Sequence, residues 1–329
     1  MTTRTSPERV EPHVDDEHAQ FAADVRYYLS LTPRQLPSRY LYDALGSALF
    51  EAICHLPWYR ITRAESRLLE IHAKDIFEQI ESLSTIVELG PGSGEKLRLL
   101  LHEGAPEGKP LDVHLVDVSS TALQTSMQTL GSFEHVRVLG HAAPYDAGLA
   151  EAARHSVPWG RTLVLFLGSN IGNFDPPAAA ALMSSIRREL SDGDALLLGA
   201  DLIKPVERLQ LAYDDPLGVT AAFNRNLLVR INRELQGDFD IDQFGHLAAW
   251  DADASRVEMH LVAKSAQRIR VAAAGVDFTI EEGERIWTES SYKYRPDDLI
   301  ALLADAGFAS AIQWTDTHDG FALTLAEAR

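Results

Sequence analysis

The sequence predicts an α/β protein built on an open, doubly wound sheet, and three features support this prediction. Short apolar runs alternate with amphipathic runs of helical period from residue 85 to residue 201. The first apolar run leads into a helix through a loop with glycine at alternate positions, Gly90, Gly92 and Gly94. The run 162–167 is apolar after Thr162, as expected for a strand buried on both faces.

Composition narrows the class of protein. The chain has 329 residues with 46% hydrophobic and 24% charged residues, which is typical of a globular protein, and its length predicts two domains. With 30 Lys and Arg against 48 Asp and Glu, the net charge of −18 repels phosphate backbones and anionic lipid, which argues against nucleic acid or a membrane as partner. Cys54 is the only cysteine, so no intrachain disulfide can form. We expect a cytoplasmic monomer.

The N-terminal part is predicted from its polarity and its aromatic residues. Residues 1–20 are polar, and we expect a flexible tail that is neither a signal peptide nor an anchor. A helix is expected from Phe21, and aromatic residues are dense between residues 40 and 59. Two interpretations of these aromatics stay open, packing over the sheet or a lid that contacts a small ligand. Thr62 and Glu65 have the spacing of a capping box at the start of the next helix.

The glycine loop has the spacing G-x-G-x-G, which differs from the G-x-G-x-x-G of dinucleotide-binding loops and indicates a nucleoside-binding loop of the methyltransferase type. Glycine lets the backbone approach a ligand closely, and the following helix presents unpaired N–H groups. A second predicted strand, 113–116, ends at Asp117, whose carboxylate can accept both hydroxyls of a ribose. The alternatives are a glycine-rich turn of another Rossmann-like domain and a solvated acid at the end of a strand.

Two further segments bear on a ligand site. The predicted strands 136–139 and 162–167 follow in the chain, and small and amide residues from Gly168 to Asn173 come directly after the second of them. Open α/β sheets bind ligands at this end of their strands, and an amide both donates and accepts, which suits a zwitterion. A simple Asx turn is the alternative.

After residue 201 the alternation of strands and helices stops, and residues 203–293 have the pattern of an inserted α+β unit.

Seven motifs in this order resemble those of the histidine Nα-methyltransferases of ergothioneine biosynthesis: YDALGS (42–47), LPWY (56–59), ELGPGSGEK (88–96), FLGSNIGN (166–173), YDD (213–215), FNRN (223–226) and TESS (288–291). The resemblance extends from about Phe21 to the C-terminus. It implies S-adenosylmethionine-dependent conversion of L-histidine to trimethylhistidine (hercynine). It also implies a class I methyltransferase, Rossmann-like domain with a seven-stranded sheet (21–202 and 294–329) and an inserted α+β substrate-binding domain (203–293).

The resemblance also implies roles for individual residues. It assigns S-adenosylmethionine to the loop glycines and to polar residues around them: Gly90, Gly92, Lys96 and Asp117. The family usually carries Asp-Phe after the third strand to hold the adenine edge, whereas this chain has His141-Ala142. We therefore place His141 at the cofactor, with Asp146 as the alternative. Tyr42 and Asn173 are the expected catalytic residues, and the full expected substrate set is Tyr59, Gly168, Asn173, Tyr213, Met259, Glu289 and Ser291.

The expected specificity residues make physical sense in a strand. Glu289 and Ser291 point to one face of an extended segment, where a carboxylate accepts from an imidazole N–H and a hydroxyl donates to the other ring nitrogen. Met259, whose face Val257 and Leu261 share, would supply an adaptable wall. Outside these motifs, Glu289 would more often be a solvated strand residue. No zinc-like spacing of His and Cys is present in the sequence, so no metal is expected.

Three other functions stay open. The same scaffold would serve to methylate another amino acid such as tryptophan or tyrosine. A nicotinamide-dependent oxidoreductase is disfavoured by the glycine spacing. A module that binds S-adenosylmethionine or a peptide without turning it over is the third.

Overall fold

A computed structural model of the protein describes residues 14–105, 108–155 and 160–329. Its helices are α1 Val14–Leu29, α2 Ala44–His55, α3 Ile61–Glu78, α4 Glu95–Gly104, α5 Ser120–Leu130, α6 Tyr145–His155, α7 Pro176–Glu189, α8 Val206–Tyr213, α9 Val219–Leu235 and α10 Pro296–Asp305. Its strands are β1 Arg34–Gln35, β2 Leu83–Leu89, β3 Leu111–Asp117, β4 Val136–Ala142, β5 Arg161–Phe166, β6 Ala195–Asp201, β7 Phe244–Asp251, β8 Arg256–Ala263, β9 Gln267–Val271, β10 Val276–Ile280, β11 Arg285–Tyr292, β12 Phe308–Asp316 and β13 Phe321–Ala328. Within these ranges, no helix is long and apolar enough to cross a membrane.

The predicted doubly wound sheet of seven strands is confirmed. Its order is β12-β13-β6-β5-β2-β3-β4, and β13 alone runs opposite to the other six strands. The chain winds outward from β2 through β3 to β4, then returns to β5 on the other side of β2. This reversal separates the loops that follow β2 and β5, and open α/β sheets bind their ligands in the crevice formed there.

A second sheet, of order β1-β11-β8-β7, lies beside the hairpin β9–β10. Most of it comes from the stretch 203–293, but β1 pairs in parallel with β11, at Arg34 with Ile286 and Gln35 with Trp287. The N-terminal segment therefore contributes to this sheet, although the sequence prediction assigned it to the methyltransferase domain. The two-domain division itself stays a prediction. Strands β7 and β10 were not predicted, and β7 contains glycine and alanine, which are depleted in strands.

One cluster of buried apolar side chains joins the two sheets. It includes Leu69 of α3 and Leu165 of β5 on the side of the central sheet, and Phe223 of α9 and Leu261 of β8 on the side of the second sheet. Because interiors are close-packed, this shared core fixes the distance and orientation between the two sheets. Any site between them is therefore held by a rigid scaffold.

Two helix starts differ from the sequence prediction. Helix α1 begins at Val14, so the expected tail is helical from that residue on, and residues 1–13 lie outside the described residues. Helix α3 begins at Ile61 with no side-chain cap. The predicted Thr62–Glu65 capping box is therefore wrong. The Glu65 side chain is fully buried and makes other contacts, which are described with the site.

Candidate active site

The loop after β2 is shaped by its backbone. Gly90, Gly92 and Gly94 have φ of +73°, +57° and +78°, a region that only glycine adopts without strain. A Cβ added to Gly90 would lie 2.8 Å from both Asn170 Nδ2 and Tyr145 Oη. One added to Gly92 would meet no atom within 4 Å. The loop is thus closed at Gly90 and open at Gly92, where a ligand can approach the main chain.

Glu65 links this loop to the loop after β5. Its carboxylate accepts hydrogen bonds from the Gly168 N–H at 2.8 and 3.0 Å and forms an ion pair with Lys96 Nζ at 2.6 Å. Lys96 lies in the first turn of α4, directly after the glycine loop. Glu65 was not among the predicted site residues, because its spacing from Thr62 suggested a helix cap instead.

Two carboxylate side chains, those of Asp117 and Glu88, lie beside the glycine loop. Asp117 ends β3, and its Oδ1 accepts a hydrogen bond from the Ser119 N–H at 2.8 Å. Burial raises the pKa of Asp117. Glu88 lies near the end of β2, and burial raises its pKa to about 8. Among the described residues, Oε2 of Glu88 has no hydrogen-bond partner. A buried acceptor of this kind fits a donor supplied by a ligand.

The His141 side chain, which was expected at the cofactor, lies within a strand and next to a second histidine, and its cofactor role stays a prediction. Strand β4 continues to Ala142 instead of ending at Leu139, so His141 lies within the strand. A Cβ on Gly140 would lie 3.2 Å from Met127 of α5, so the next side chain faces α6. The His141 ring is buried there, with Nε2 2.8 Å from His114 Nδ1. Asp146, the alternative, lies exposed in the first turn of α6.

A cavity of about 470 Å³, its open mouth included, lies between the two sheets. Asn170 connects it to the glycine loop, because Asn170 both lines the cavity and lies against Gly90. All expected substrate residues and the expected catalytic tyrosine line this cavity: Tyr42, Tyr59, Gly168, Asn173, Tyr213, Met259, Glu289 and Ser291. The structure therefore brings together residues that are distant in the sequence. Their individual roles stay predictions.

The second sheet supplies the polar wall of the cavity. Met259 of β8 lies opposite Glu289 of β11, and both Glu289 and Ser291 face the cavity, as the strand alternation predicted. Burial raises the pKa of Glu289 to about 7, although the charge of Lys293 acts in the opposite direction. Glu289 is therefore an acceptor above this pH and a donor below it.

A buried lysine lies behind this wall. Tyr213 Oη and Ser291 Oγ are 2.8 Å apart, and Lys293 Nζ donates to them at 2.7 and 2.8 Å. Its third contact is an ion pair with Asp201 Oδ2 at 3.0 Å. The Lys293 side chain is 0% exposed, so its ammonium depends on these three oxygens in place of water. Lys293 was not among the predicted site residues, because a lysine at the end of a strand is usually exposed.

The aromatic N-terminal segment packs against the core and also lines the cavity, while its role as a lid over a ligand stays a prediction. Tyr42 makes edge-to-face contacts with Phe50 and Phe223, each with ring centroids 5.5 Å apart, and Tyr59 lies 6.2 Å from Tyr213. These rings therefore pack against the core, and they also line the cavity. Burial raises the pKa of Tyr42 well above its usual range. Its phenol is therefore neutral at physiological pH.

Asn226 and Gly172, which belong to two of the sequence motifs, help to hold the aromatic segment and the loop after β5 in place. Asn226 of α9 donates to Asp43 Oδ1 at 2.7 Å, and Asp43 caps α2 by accepting from the Gly46 N–H, so the chain is held at Tyr42. In the other loop, a Cβ on Gly172 would lie 2.8 Å from Tyr292 O. The absence of a side chain at Gly172 lets the 170–173 turn lie directly against β11.

Residues 21–328 match the sequence profile of the family described as "Histidine-specific methyltransferase, SAM-dependent". The chain is 41% identical over 305 residues to a histidine N-alpha-methyltransferase of Mycolicibacterium smegmatis, across 92% of this chain and 93% of that protein. It is 40% identical to the protein of the same name from Mycobacterium tuberculosis, across 95% and 96%. It is 30% identical to ergothioneine biosynthesis protein 1 of Neurospora crassa, across 90% of this chain and 34% of that protein.

Proposed function

The chain belongs to the family of S-adenosylmethionine-dependent, histidine-specific methyltransferases, and we propose that it methylates the α-amino nitrogen of free L-histidine repeatedly, to give trimethylhistidine (hercynine) for ergothioneine biosynthesis. One observation carries the proposal. Glu289 and Ser291 face the same cavity as Asn173 and Tyr213, and this cavity adjoins the glycine loop at Gly90 through Asn170.

The residues around the glycine loop fit S-adenosylmethionine. The loop is open at Gly92, Asp117 offers a carboxylate to ribose hydroxyls, and Lys96 offers an ammonium to the carboxylate of the methionine part. The unpartnered Oε2 of Glu88 fits a donor on the ligand. We assign these four residues and Gly90 to the cofactor. When bound, S-adenosylmethionine supplies an electrophilic methyl group.

The cavity wall fits a neutral imidazole. Above a pH of about 7, Glu289 accepts from the ring N–H, while the Ser291 hydroxyl donates to the other ring nitrogen. Met259 and Tyr59 supply apolar surface for the ring. An indole lacks the second ring nitrogen, so tryptophan would leave a buried hydroxyl unmatched at a cost of about 1–3 kcal/mol. This difference favours histidine over tryptophan, the main alternative.

The other end of the substrate meets amide and phenol groups. We assign Asn173 and Tyr213 to the carboxylate and Tyr42 to the amino group. As a neutral phenol, Tyr42 accepts a hydrogen bond from the amine and orients its lone pair. The protein's contribution is thus to position the nitrogen and to exclude water. Because only the unprotonated amine is nucleophilic, the rate rises with pH until the amine is fully deprotonated.

A panel of free amino acids tests the proposal. The purified protein is incubated with S-adenosylmethionine and, separately, histidine, tryptophan, tyrosine and phenylalanine, and products are identified by mass. Mono-, di- and trimethylated histidine are expected in sequence. Faster methylation of tryptophan or tyrosine, or cofactor binding with no methylated product, contradicts the proposal. Asn173→Ala should raise the KM for histidine by roughly 10-fold or more, the loss of a hydrogen bond to a charged group.

We further propose that the protein works as a monomer in the cytoplasm. A single cysteine favours a reducing compartment, and a net charge of −18 favours mutual repulsion of chains. Light scattering at micromolar concentration tests the monomer, and a mass near twice 36.3 kDa contradicts it.

A further inference from the structure

The proposed substrate carries a carboxylate, but the cavity wall offers it no cation. Among the described residues that line the cavity, none is lysine or arginine. The only side chain there that carries a charge at neutral pH is Glu289, which is negative when ionised. A carboxylate moved from water into such an environment is strongly disfavoured unless a positive charge lies nearby.

The candidate that contacts the polar wall is Lys293, which lies directly behind Tyr213 and Ser291. The other lysine near the cavity, Lys96, lies behind Gly168 and is paired with Glu65. Lys293 Nζ donates to Tyr213 Oη at 2.7 Å, to Ser291 Oγ at 2.8 Å and to Asp201 Oδ2 at 3.0 Å. Although burial acts to lower the pKa of Lys293, Tyr213 and Asp201 raise it above its usual value. The ammonium is therefore charged, and its three N–H donors are all in use.

The hydrogen count in this cluster determines what the wall can bind. Tyr213 Oη and Ser291 Oγ each accept from Lys293, and at 2.8 Å one hydroxyl must donate to the other. One O–H is then left over from the pair, and both hydroxyls lie on the cavity wall. The pair therefore faces the cavity as a hydrogen-bond donor, which suits an anion or an unprotonated ring nitrogen.

We propose that Lys293 is the positioning residue for the substrate's carboxylate: from behind Tyr213 it supplies the positive charge that the cavity wall lacks. Tyr213 then donates to Ser291, and the one O–H left over, that of Ser291, goes to the imidazole nitrogen. The proposal rests on the proposed function, because it assumes that an amino acid occupies the cavity. It predicts that the preference for substrates with a carboxylate depends on Lys293.

A second lysine provides a matched control. Lys204 Nζ contacts the other oxygen of the same carboxylate, Asp201 Oδ1, at 2.5 Å. Lys204 does not line the cavity, and its other hydrogen bond goes to the main chain at Asp319 O. In either Lys→Met variant, Asp201 keeps one lysine partner. Both variants therefore remove one buried charge from the same cluster, but only Lys293→Met removes the donor to Tyr213 and Ser291.

The experiment compares L-histidine with histamine, which lacks the carboxylate. Binding of each is measured by calorimetry with S-adenosylhomocysteine present, in wild type, Lys293→Met and Lys204→Met. Lys293→Met should weaken histidine by roughly 10- to 100-fold, the range for a hydrogen bond to a charged group, and weaken histamine much less. Lys204→Met should leave the histidine-to-histamine preference within about threefold of wild type. An unchanged preference in Lys293→Met overturns the proposal.

Two controls separate the possible failures. Unchanged binding of S-adenosylhomocysteine shows that Lys293→Met is folded. If Lys293→Met does not fold, the double variant Asp201→Asn/Lys293→Met is used instead, because it removes both members of the buried pair. The double variant should likewise weaken histidine much more than histamine. If wild-type protein neither binds nor methylates histidine, the proposed function fails. If it does both, but prefers histidine over histamine equally with and without Lys293, only the present inference fails.

Discussion

The two halves of the candidate site are built in different ways. The glycine loop comes from one contiguous stretch, 90–96, and its shape depends on main-chain angles that only glycine adopts easily. The cavity is assembled from side chains of widely separated segments, and its polar groups are supported by a second layer that contains Lys293 and Asp201. An added Cβ in the glycine loop should therefore weaken cofactor binding without weakening substrate binding. A change of polarity in the cavity should weaken substrate binding without weakening cofactor binding.

The largest expected effect concerns the cavity. Glu289→Ala removes the acceptor proposed for the imidazole N–H, and it should weaken histidine binding by about 100-fold, which corresponds to about 3 kcal/mol. Calorimetry should show S-adenosylhomocysteine binding within twofold of wild type. Glu258→Ala is the control, because Glu258 precedes Met259 in β8 and points to the other face of the strand. Equal losses for both ligands in Glu289→Ala contradict the separation of the two halves.

The next effect concerns the loop. Gly92→Ala introduces a Cβ at φ of +57° where the structure leaves open space for a ligand. We expect a loss of S-adenosylhomocysteine affinity of roughly 30-fold, together with about 1 kcal/mol of destabilisation from the left-handed backbone. Gly283→Ala matches it, since Gly283 has φ of +80° and also no atom within 4 Å. We expect the two variants to lose similar amounts of stability, but only Gly92→Ala should weaken the binding of S-adenosylhomocysteine. If Gly283→Ala weakens the cofactor equally, strain alone explains the loss.

A substitution at Glu65 should weaken ligand binding in both halves of the site. Glu65→Gln removes the ion pair with Lys96 on the cofactor side and weakens the acceptor for the Gly168 N–H on the substrate side. Roughly tenfold losses are expected for both S-adenosylhomocysteine and histidine, because both loops lose their shared contact. The measurement is the same pair of calorimetric titrations. A loss for only one ligand would show that Glu65 serves one half alone.

The smallest effect is a pH dependence of stability. The folded-state pKa of Glu289, about 7, lies above its ordinary value of 4.5, so the folded protein binds the proton more tightly than the unfolded chain. This contribution is present below about pH 4.5 and is lost as pH rises to 7. Glu289→Gln removes it, so the variant's Tm should rise by a few degrees relative to wild type between pH 5 and 7 and then level off. Exposed Glu282→Gln is the control, and a parallel pH trend in both variants contradicts the assignment.

The contrast between the halves also explains what the sequence revealed. The sheet, the glycine loop and Asp117 follow from contiguous patterns, and their placement was predicted. The end of β4 was predicted three residues too early, at Leu139 instead of Ala142, because strand propensity determines the end of a strand only approximately. Glu65 and Lys293 were missed because their burial arises from tertiary contacts between distant segments. Only motif resemblance brought Tyr42 and Glu289 together in advance.

The pairing of β1 with β11 has a consequence for the order in which the enzyme becomes functional. Arg34 pairs with Ile286, so the second sheet is complete only after the chain has been synthesised beyond β11. Contacts between such distant segments form late, because a long loop must close first. The glycine loop and the strands around it emerge much earlier. The cavity wall that carries Glu289 and Ser291 is therefore assembled after the strands on either side of the glycine loop have been made.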